Sequence, residues 1–277
     1  TDTAYEKLVE AFHPEVIPGF RKITDYVHQF DTKMFCQLNH NGQQCDGSIS
    51  RLPVWAPSAV PDILFRETPK AMEIEDIEEV CRYFAISAEH VRQGGFDGVE
   101  LQFGHSSLAR QFLSPLTNHR QDEFGGSLEN RMRAPLMMIS AVRKAVGNDF
   151  TLGIRMCADE MIPGGLDLAQ VQEICGLFEA SGLIDFVDLS IATFYNLYLV
   201  EGSMHTPLGY TIPLAAGIRE KIDLPVFCTG RINDPTMAEK VLAAGQADMI
   251  GMCRALICDP FLPKKAQEGR LEDIRSC

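Results

Sequence analysis

The chain has 277 residues, 45% of them apolar, and a formal charge of −13, which suits one large domain with a full core. That acidic balance argues against nucleic acid or an anionic membrane as the main partner, because either normally needs a basic face. No apolar run reaches the roughly 18–20 residues of a membrane span, and the stretch from Thr1 lacks a basic segment followed by an apolar core, so the expected address is cytoplasmic.

Pro18 opens a pattern in which Phe20, Ile23, Tyr26, Val27 and Phe30 recur at helical spacing, predicting a helix over 18–30. Residues 33–38 read as a buried strand and 39–48 as a polar loop. Pro53, Pro57, Pro61 and Pro69 predict no regular element over 52–70. The clearest helix covers 73–93: Ile74, Ile77, Val80, Phe84, Ala88 and Val91 lie on one stripe. Glu73, Glu75 and Asp76 complement the dipole of its first turn, and Gly94-Gly95 stops it.

A short strand, 98–101, follows, with Gln102, His105, Ser106 and Ser107 at its exit. The loop beyond runs to residue 127. A loop of this length is functional or disordered, and Phe112, Leu113, Leu116 and Phe124 among paired charges argue for order, so it is expected to form one wall of an active site. Arg120, Asp122, Glu123, Glu129 and Arg131 read as an ion network bracing that loop rather than as catalysts.

Ser127 caps a predicted helix to about 146, stopped by Gly147, and a strand at 151–156 carries Arg155 near its distal end. The unit then repeats: helix 167–180, strand 185–190, a long loop with Tyr195, Tyr198, His205 and Tyr210, helix 213–222, strand 225–229. Asp234-Pro235 starts the next helix, which ends at Gly245 before a last strand at 247–252.

Strands alternating with helices predict a parallel sheet, either open and doubly wound or closed into an eight-stranded barrel. No Gly-x-Gly-x-x-Gly follows any strand, and no Gly-x-x-x-x-Gly-Lys-Ser/Thr is present, which favours the barrel. Gln37, Gln102 with His105, Arg155, Ser190, Gly230-Arg231 and Arg254 stand at successive strand exits, the face where barrel enzymes build active sites and hold phosphate. Only about six strand–helix units are counted, so two are expected to lie on the N-terminal side. Plainer readings stand beside the functional ones: Arg155 paired with Asp188 or Glu100, Gln37 satisfying backbone groups, His105 in a structural hydrogen bond. The nine cysteines form no Cys-x-x-Cys pair and read mainly as buried thiols; no histidine pair has metal-ligand spacing.

The stretches MFCQLNHNGQ, QFLSPLTNHRQDEFGGSLENR, LGIRM, CTGRINDP and ADMIGMCRALICDPFLPKKAQEGRLEDIRSC together resemble the Old Yellow Enzyme family of NADH:flavin oxidoreductases. The resemblance is nearest to its multidomain branch, which includes 2,4-dienoyl-CoA reductase and trimethylamine dehydrogenase. It implies an α/β fold, an FMN-binding (β/α)8 TIM barrel that is incomplete here, with the first two strands preceding the chain. Residues 1–277 would be a single partial barrel domain, and Cys277 would stand where a 4Fe-4S motif begins in the longer enzymes, ahead of a second nucleotide-binding region that could hold FAD.

Carried over residue by residue, Gln37 would donate to the flavin pyrimidine edge and Arg155 would sit beside N1 and C2=O. Gly230, Arg231, Cys253 and Arg254 would hold the phosphate, and Gln102 and His105 would face the substrate. The family's proton-donating tyrosine falls at Ser107, whose hydroxyl is shorter and far less acidic. Tyr195 or Tyr198 is expected to replace it unless the substrate needs no acid. The implied activity is hydride transfer between NADH or NADPH, or another electron carrier, and a small organic substrate, by enone or dienoyl reduction. Amine N-demethylation is the alternative, and a non-catalytic barrel segment is the alternative of another class. Homo-oligomerisation stays open. The segment alone is expected to bind FMN weakly, because an unclosed sheet lacks part of the pocket.

Overall fold

A computed structural model describes residues 8–277; the leader expectation at residues 1–7 lies outside them. The strands are β1 (Phe35–Leu38), β2 (Trp55–Ala56), β3 (Lys70–Ala71), β4 (Gly98–Phe103), β5 (Thr151–Cys157), β6 (Phe186–Ser190), β7 (Val226–Thr229) and β8 (Met249–Gly251). The helices are α1 (Ile17–His28), α2 (Gly47–Ser50), α3 (Ile74–Gln93), α4 (Leu108–Leu113), α5 (Leu128–Val146), α6 (Leu168–Ala180), α7 (Leu197–Val200), α8 (Ile212–Arg219), α9 (Pro235–Ala243), α10 (Arg254–Cys258) and α11 (Leu262–Gln267). Six strands, in the order β1-β4-β5-β6-β7-β8, form one all-parallel sheet. This is the expected α/β half-barrel.

The caps anticipated from sequence set the helix starts. Ser127 Oγ accepts from the Asn130 amide at the head of α5, and Asp167 and Gln170 form a capping box at α6. Asp234 does the same for α9 through the Thr236 amide at 2.9 Å. The structure departs from expectation in several places. β1, expected to be a buried strand, exposes Phe35 and Gln37 and buries only Leu38. β4 extends through Gln102 and Phe103, so Gln102 belongs to the strand rather than the loop. Trp55–Ala56 and Lys70–Ala71 pair as a two-stranded parallel ribbon in the proline-rich stretch, where no regular element is expected. The long loop contains α4, whose six side chains are all buried; a helix buried all round has no polar face and so no amphipathic period to read. Five cysteines are buried, but Cys36 and Cys258 are half-buried and Cys253 and Cys277 exposed.

Alternation along the strands separates two environments. Val99, Leu101, Phe103, Ile154 and Met156 are fully buried in the core against the helices. The opposite, inner face begins with an aromatic floor. Phe186 stacks on Phe227 with centroids 4.7 Å apart, and Phe35 meets Phe186 edge-on at 5.8 Å. Two glycines make the space: a Cβ at Gly98 would lie 2.2 Å from the Phe35 ring, and one at Gly153 2.2 Å from the Phe186 ring.

A buried ion pair ties α4 to the segment after β5. Arg110 Nη1 lies 3.0 Å from Glu160 Oε1, both side chains fully buried. Glu160 Oε2 also accepts from Ser114 Oγ at 2.9 Å and from the Leu166 amide at 3.0 Å. The loop brace itself is built mostly from arginines on carbonyls: Arg120 reaches Pro57 and Met72 O besides chelating Asp122, and Arg131 reaches Leu113 and Gly126 O. The expected charge network is therefore only partly acid–base. Carbonyls accept equally well and need no second charge to be desolvated.

Gly153→Ala is expected to destabilise the fold by about 1–3 kcal/mol through overpacking. Gly176→Ala, within α6 where an added Cβ meets nothing within 4 Å, should stabilise by about 1 kcal/mol through helix propensity. Opposite shifts of the urea midpoint check the pair. Glu160→Gln should cost about 3–5 kcal/mol, the penalty for stranding a buried charge; an unchanged midpoint would show that the pair contributes nothing net.

Candidate active site on the inner face

Above the aromatic floor the inner face turns polar, because the same alternation brings Gln37, Glu100, Gln102, Arg155 and Asp188 to that side. Register places Gln37 beside Glu100, and Arg155 between Gln102 and Asp188. Gln37 Nε2 donates to Glu100 Oε1 at 2.6 Å, and Gln102 Nε2 approaches Gln37 Oε1 at 3.4 Å. Gln102 Oε1 accepts from the Gly104 amide at 2.9 Å, which fixes its orientation.

Arg155 Nε lies 3.5 Å from Asp188 Oδ2, within ion-pair range, so the expected structural pairing is present. That Nε is nevertheless buried without a hydrogen-bond partner. The charge is matched while hydrogen-bonding capacity is left over. Burial, followed by the neighbouring Asp188 charge, pushes the Glu100 carboxyl up to about 7, against the opposing pull of Gln37 and Arg155. Burial also raises Asp188.

His105 adopts a left-handed backbone, φ 51°, at the turn out of β4. Burial, then the charges of Arg155 and Arg110, lower its imidazole to about 4. It is neutral at neutral pH and acts as a hydrogen-bonding group, not a cation. Its ring stands 6.3 Å from that of Phe194. The next residue but one, Ser107, is the N-cap position of α4, 4% exposed, and its hydroxyl has no hydrogen-bond partner, as is true of Ser106. Tyr195 is half-buried in a short 3-10 turn, Phe194–Asn196, held by Asn196 Nδ2 on the Glu160 and Met161 carbonyls; Tyr198 is exposed.

The residues after β7 and β8 grip one loop. Arg231, also left-handed at φ 50°, donates through Nη1 to Met204 O at 3.1 Å and to Thr206 O. Arg254, the first residue of α10, donates through Nη1 to Gly202 O at 2.9 Å. Gly230 allows the close packing of Thr211, whose Oγ1 would lie 2.3 Å from an added Cβ. Cys253 is exposed beside Arg254. Cys277 is exposed, its carbonyl accepting from Asn233 Nδ2 at 3.2 Å, and among the described residues no group of three potential metal ligands occurs. A surface groove lined by Pro57, Ser58, His119 and Asp122 lies on the brace and holds none of the candidate residues.

Sequence reading identifies the polar residues at strand exits but misses the Arg110–Glu160 pair behind them. Its partners lie 50 residues apart, with no periodic signal joining them. As chemistry, two carboxamides and a guanidinium with unspent N–H capacity suit a planar, carbonyl-rich heterocycle, and two arginines at the neighbouring exits suit an anion. The donor set thus fits an FMN.

Comparison with known proteins agrees. The chain is 36% identical over 260 residues to an NADH oxidase of Thermoanaerobacter brockii, covering 94% of this chain and 40% of that protein. It is 38% identical over 266 residues to an N,N-dimethylglycine/sarcosine dehydrogenase of Chromohalobacter salexigens, covering 95% and 38%. The structure of a 2-naphthoyl-CoA reductase superposes with a TM-score of 0.87 at 31% identity, covering 94% of this chain and 42% of that one. The chain thus spans about 40% of the length of the longer curated relatives it matches, the oxidase and the dehydrogenase among them. The family model for NADH:flavin oxidoreductases and NADH oxidases matches residues 2–273, and the chain belongs to that family.

Proposed function

We propose that this chain forms the flavin-binding and substrate-binding part of an FMN-dependent oxidoreductase that moves hydride between NADH or NADPH and a small organic substrate. The observation that carries this reading is the clustering of Gln37, Gln102 and Arg155 on one inner face, with the buried Arg155 Nε lacking a hydrogen-bond partner. FMN when bound would supply the two-electron chemistry. Gln37 and Arg155 would orient its pyrimidine edge, and the fixed guanidinium would stabilise negative charge developing there without reorganisation. Gly230, Arg231, Cys253 and Arg254 would hold the phosphate, the two arginines extending the grip they already have on residues 202–206. Gln102 and neutral His105 would offer hydrogen bonds to the substrate, and Tyr195 would supply a proton where one is needed.

Two directions of chemistry fit the relatives. Enone or dienoyl reduction accords with the naphthoyl-CoA reductase, and oxidation of a methylated amine accords with the dimethylglycine/sarcosine dehydrogenase. The buried hydroxyl of Ser107 favours the second, because removing hydride from a C–N bond needs no phenolic acid at that position. In the intact protein Cys277 would be the first ligand of a 4Fe-4S cluster, followed by an FAD-binding region, with residues 1–277 as one partial barrel. No helix among the described residues is long and apolar enough to cross a membrane, in keeping with a cytoplasmic enzyme acting on small molecules. A homo-oligomer would be compatible with this arrangement.

The intact protein should bind FMN, and Arg155→Met should weaken binding roughly 10- to 100-fold, the loss of charge-assisted hydrogen bonds worth about 1.5–3 kcal/mol. Fluorescence titration with FMN checks this; a colourless protein that takes up no FMN overturns the reading. Steady-state rates with an enone and with a methylated amine separate the two directions, and Ser107→Tyr should raise enone turnover if the missing acid limits it.

A further inference from the structure

The polar layer of the inner face holds more acid than base. Gln37 faces Glu100 from β1, Arg155 from β5 and Asp188 from β6, while Thr229 Oγ1 on β7 approaches Asp188 Oδ1 at 3.5 Å. The guanidinium of Arg155 has its ion-pair contact with Asp188. Among the described residues Glu100 has no ion pair, and its Oε1 rests on the neutral amide of Gln37 at 2.6 Å. One carboxylate is matched by the cation and the other is not.

We propose that Glu100 is a positioning residue that loads a proton: it takes one up from solvent when negative charge develops against Arg155, keeping the charge of the cluster constant. The proposal rests on the flavin reading above. New negative charge beside Arg155 competes with Asp188 for the guanidinium and raises the proton affinity of the nearest unmatched carboxylate. The balance closes. A hydride from the nicotinamide donor carries two electrons and one proton to the flavin and leaves one negative charge at the Arg155 edge. A second proton, from bulk water, forms an O–H bond on the Glu100 carboxylate, and reoxidation returns it. Because the carboxyl sits at about 7 before reduction, it is already protonated well below that pH and ionised above it. The extra uptake therefore belongs to the range above neutrality.

The test is proton stoichiometry, not turnover. The FMN-loaded intact protein is reduced anaerobically at a series of pH values with reduced methyl viologen, which delivers electrons without protons so that the flavin's own proton also comes from water, while a pH indicator follows proton uptake. Wild type should take up about one proton per two electrons near pH 6, rising toward about two between roughly pH 7 and 9, as linkage to a group with a raised pKa requires. Glu100→Gln should stay near one throughout, and Glu100→Asp, which keeps a carboxyl, should retain a second uptake. A wild-type value near one at every pH, or a second proton that persists in Glu100→Gln, overturns the proposal even if the variants fold poorly in one case. A protein that binds no FMN overturns the flavin reading and this proposal together, whereas one that binds FMN with a single proton at all pH values overturns this proposal alone.

Discussion

The contact between Arg155 and Asp188 is the constraint around which the inner face is arranged. A guanidinium placed in this half-buried layer without a counter-charge would be expensive, and Asp188 answers the charge at 3.5 Å while Nε keeps no hydrogen bond. Had Asp188 closed a bidentate pair, the cation would be both neutralised and saturated, with little left to offer a ligand. As built, the interior carries a positive group that is tolerated by the fold and still able to donate. Glu100 and Gln37 then form a second, neutral-to-acid contact beside it.

The arrangement depends on what lies beneath. Phe35, Phe186 and Phe227 close the lower inner face, and they fit only because Gly98 and Gly153 have no side chains. That apolar floor removes water from one side of the polar layer and is one reason carboxylates there are held above their ordinary range. On the outside, α4 and the Arg110–Glu160 pair hold the turn that carries His105, and Arg231 and Arg254 tie the loop after β6 to the exits of β7 and β8. The inner face is thus framed from both sides by arginines that bond to protein groups, Arg110 buried, Arg231 half-buried and Arg254 exposed.

Much of this is legible in the residues. The repeat of strand and helix is readable because caps such as Ser127 and Asp234 and stops such as Gly147 bracket each change of period. The candidate site is readable because Gln102 and Arg155 are polar side chains near the ends of otherwise apolar strands. Their assignment to particular flavin and substrate contacts comes from family resemblance, not from pattern. Other features leave no local trace. α4 is hidden because all six of its side chains are buried, and with it the burial of Ser107, whose setting as a helix start is unrelated to its place two residues after His105. The loop contacts of Arg231 and Arg254 join residues 25 to 52 apart, which neither propensity nor periodicity encodes. Glu100 and Asp188 are visible only as alternates on the same strand faces as Gln102 and Ser190, and their unequal pairing depends on distances.

The central claim is that this inner face holds the pyrimidine edge of a flavin. A crystal structure of the intact protein with FMN tests it most directly. The account predicts the pyrimidine edge within hydrogen-bond distance of Gln37 Nε2 and the Arg155 guanidinium, with the phosphate beside Arg231 and Arg254. A flavin bound elsewhere on the protein, or one lying over this face with Arg155 still turned wholly to Asp188, would contradict it.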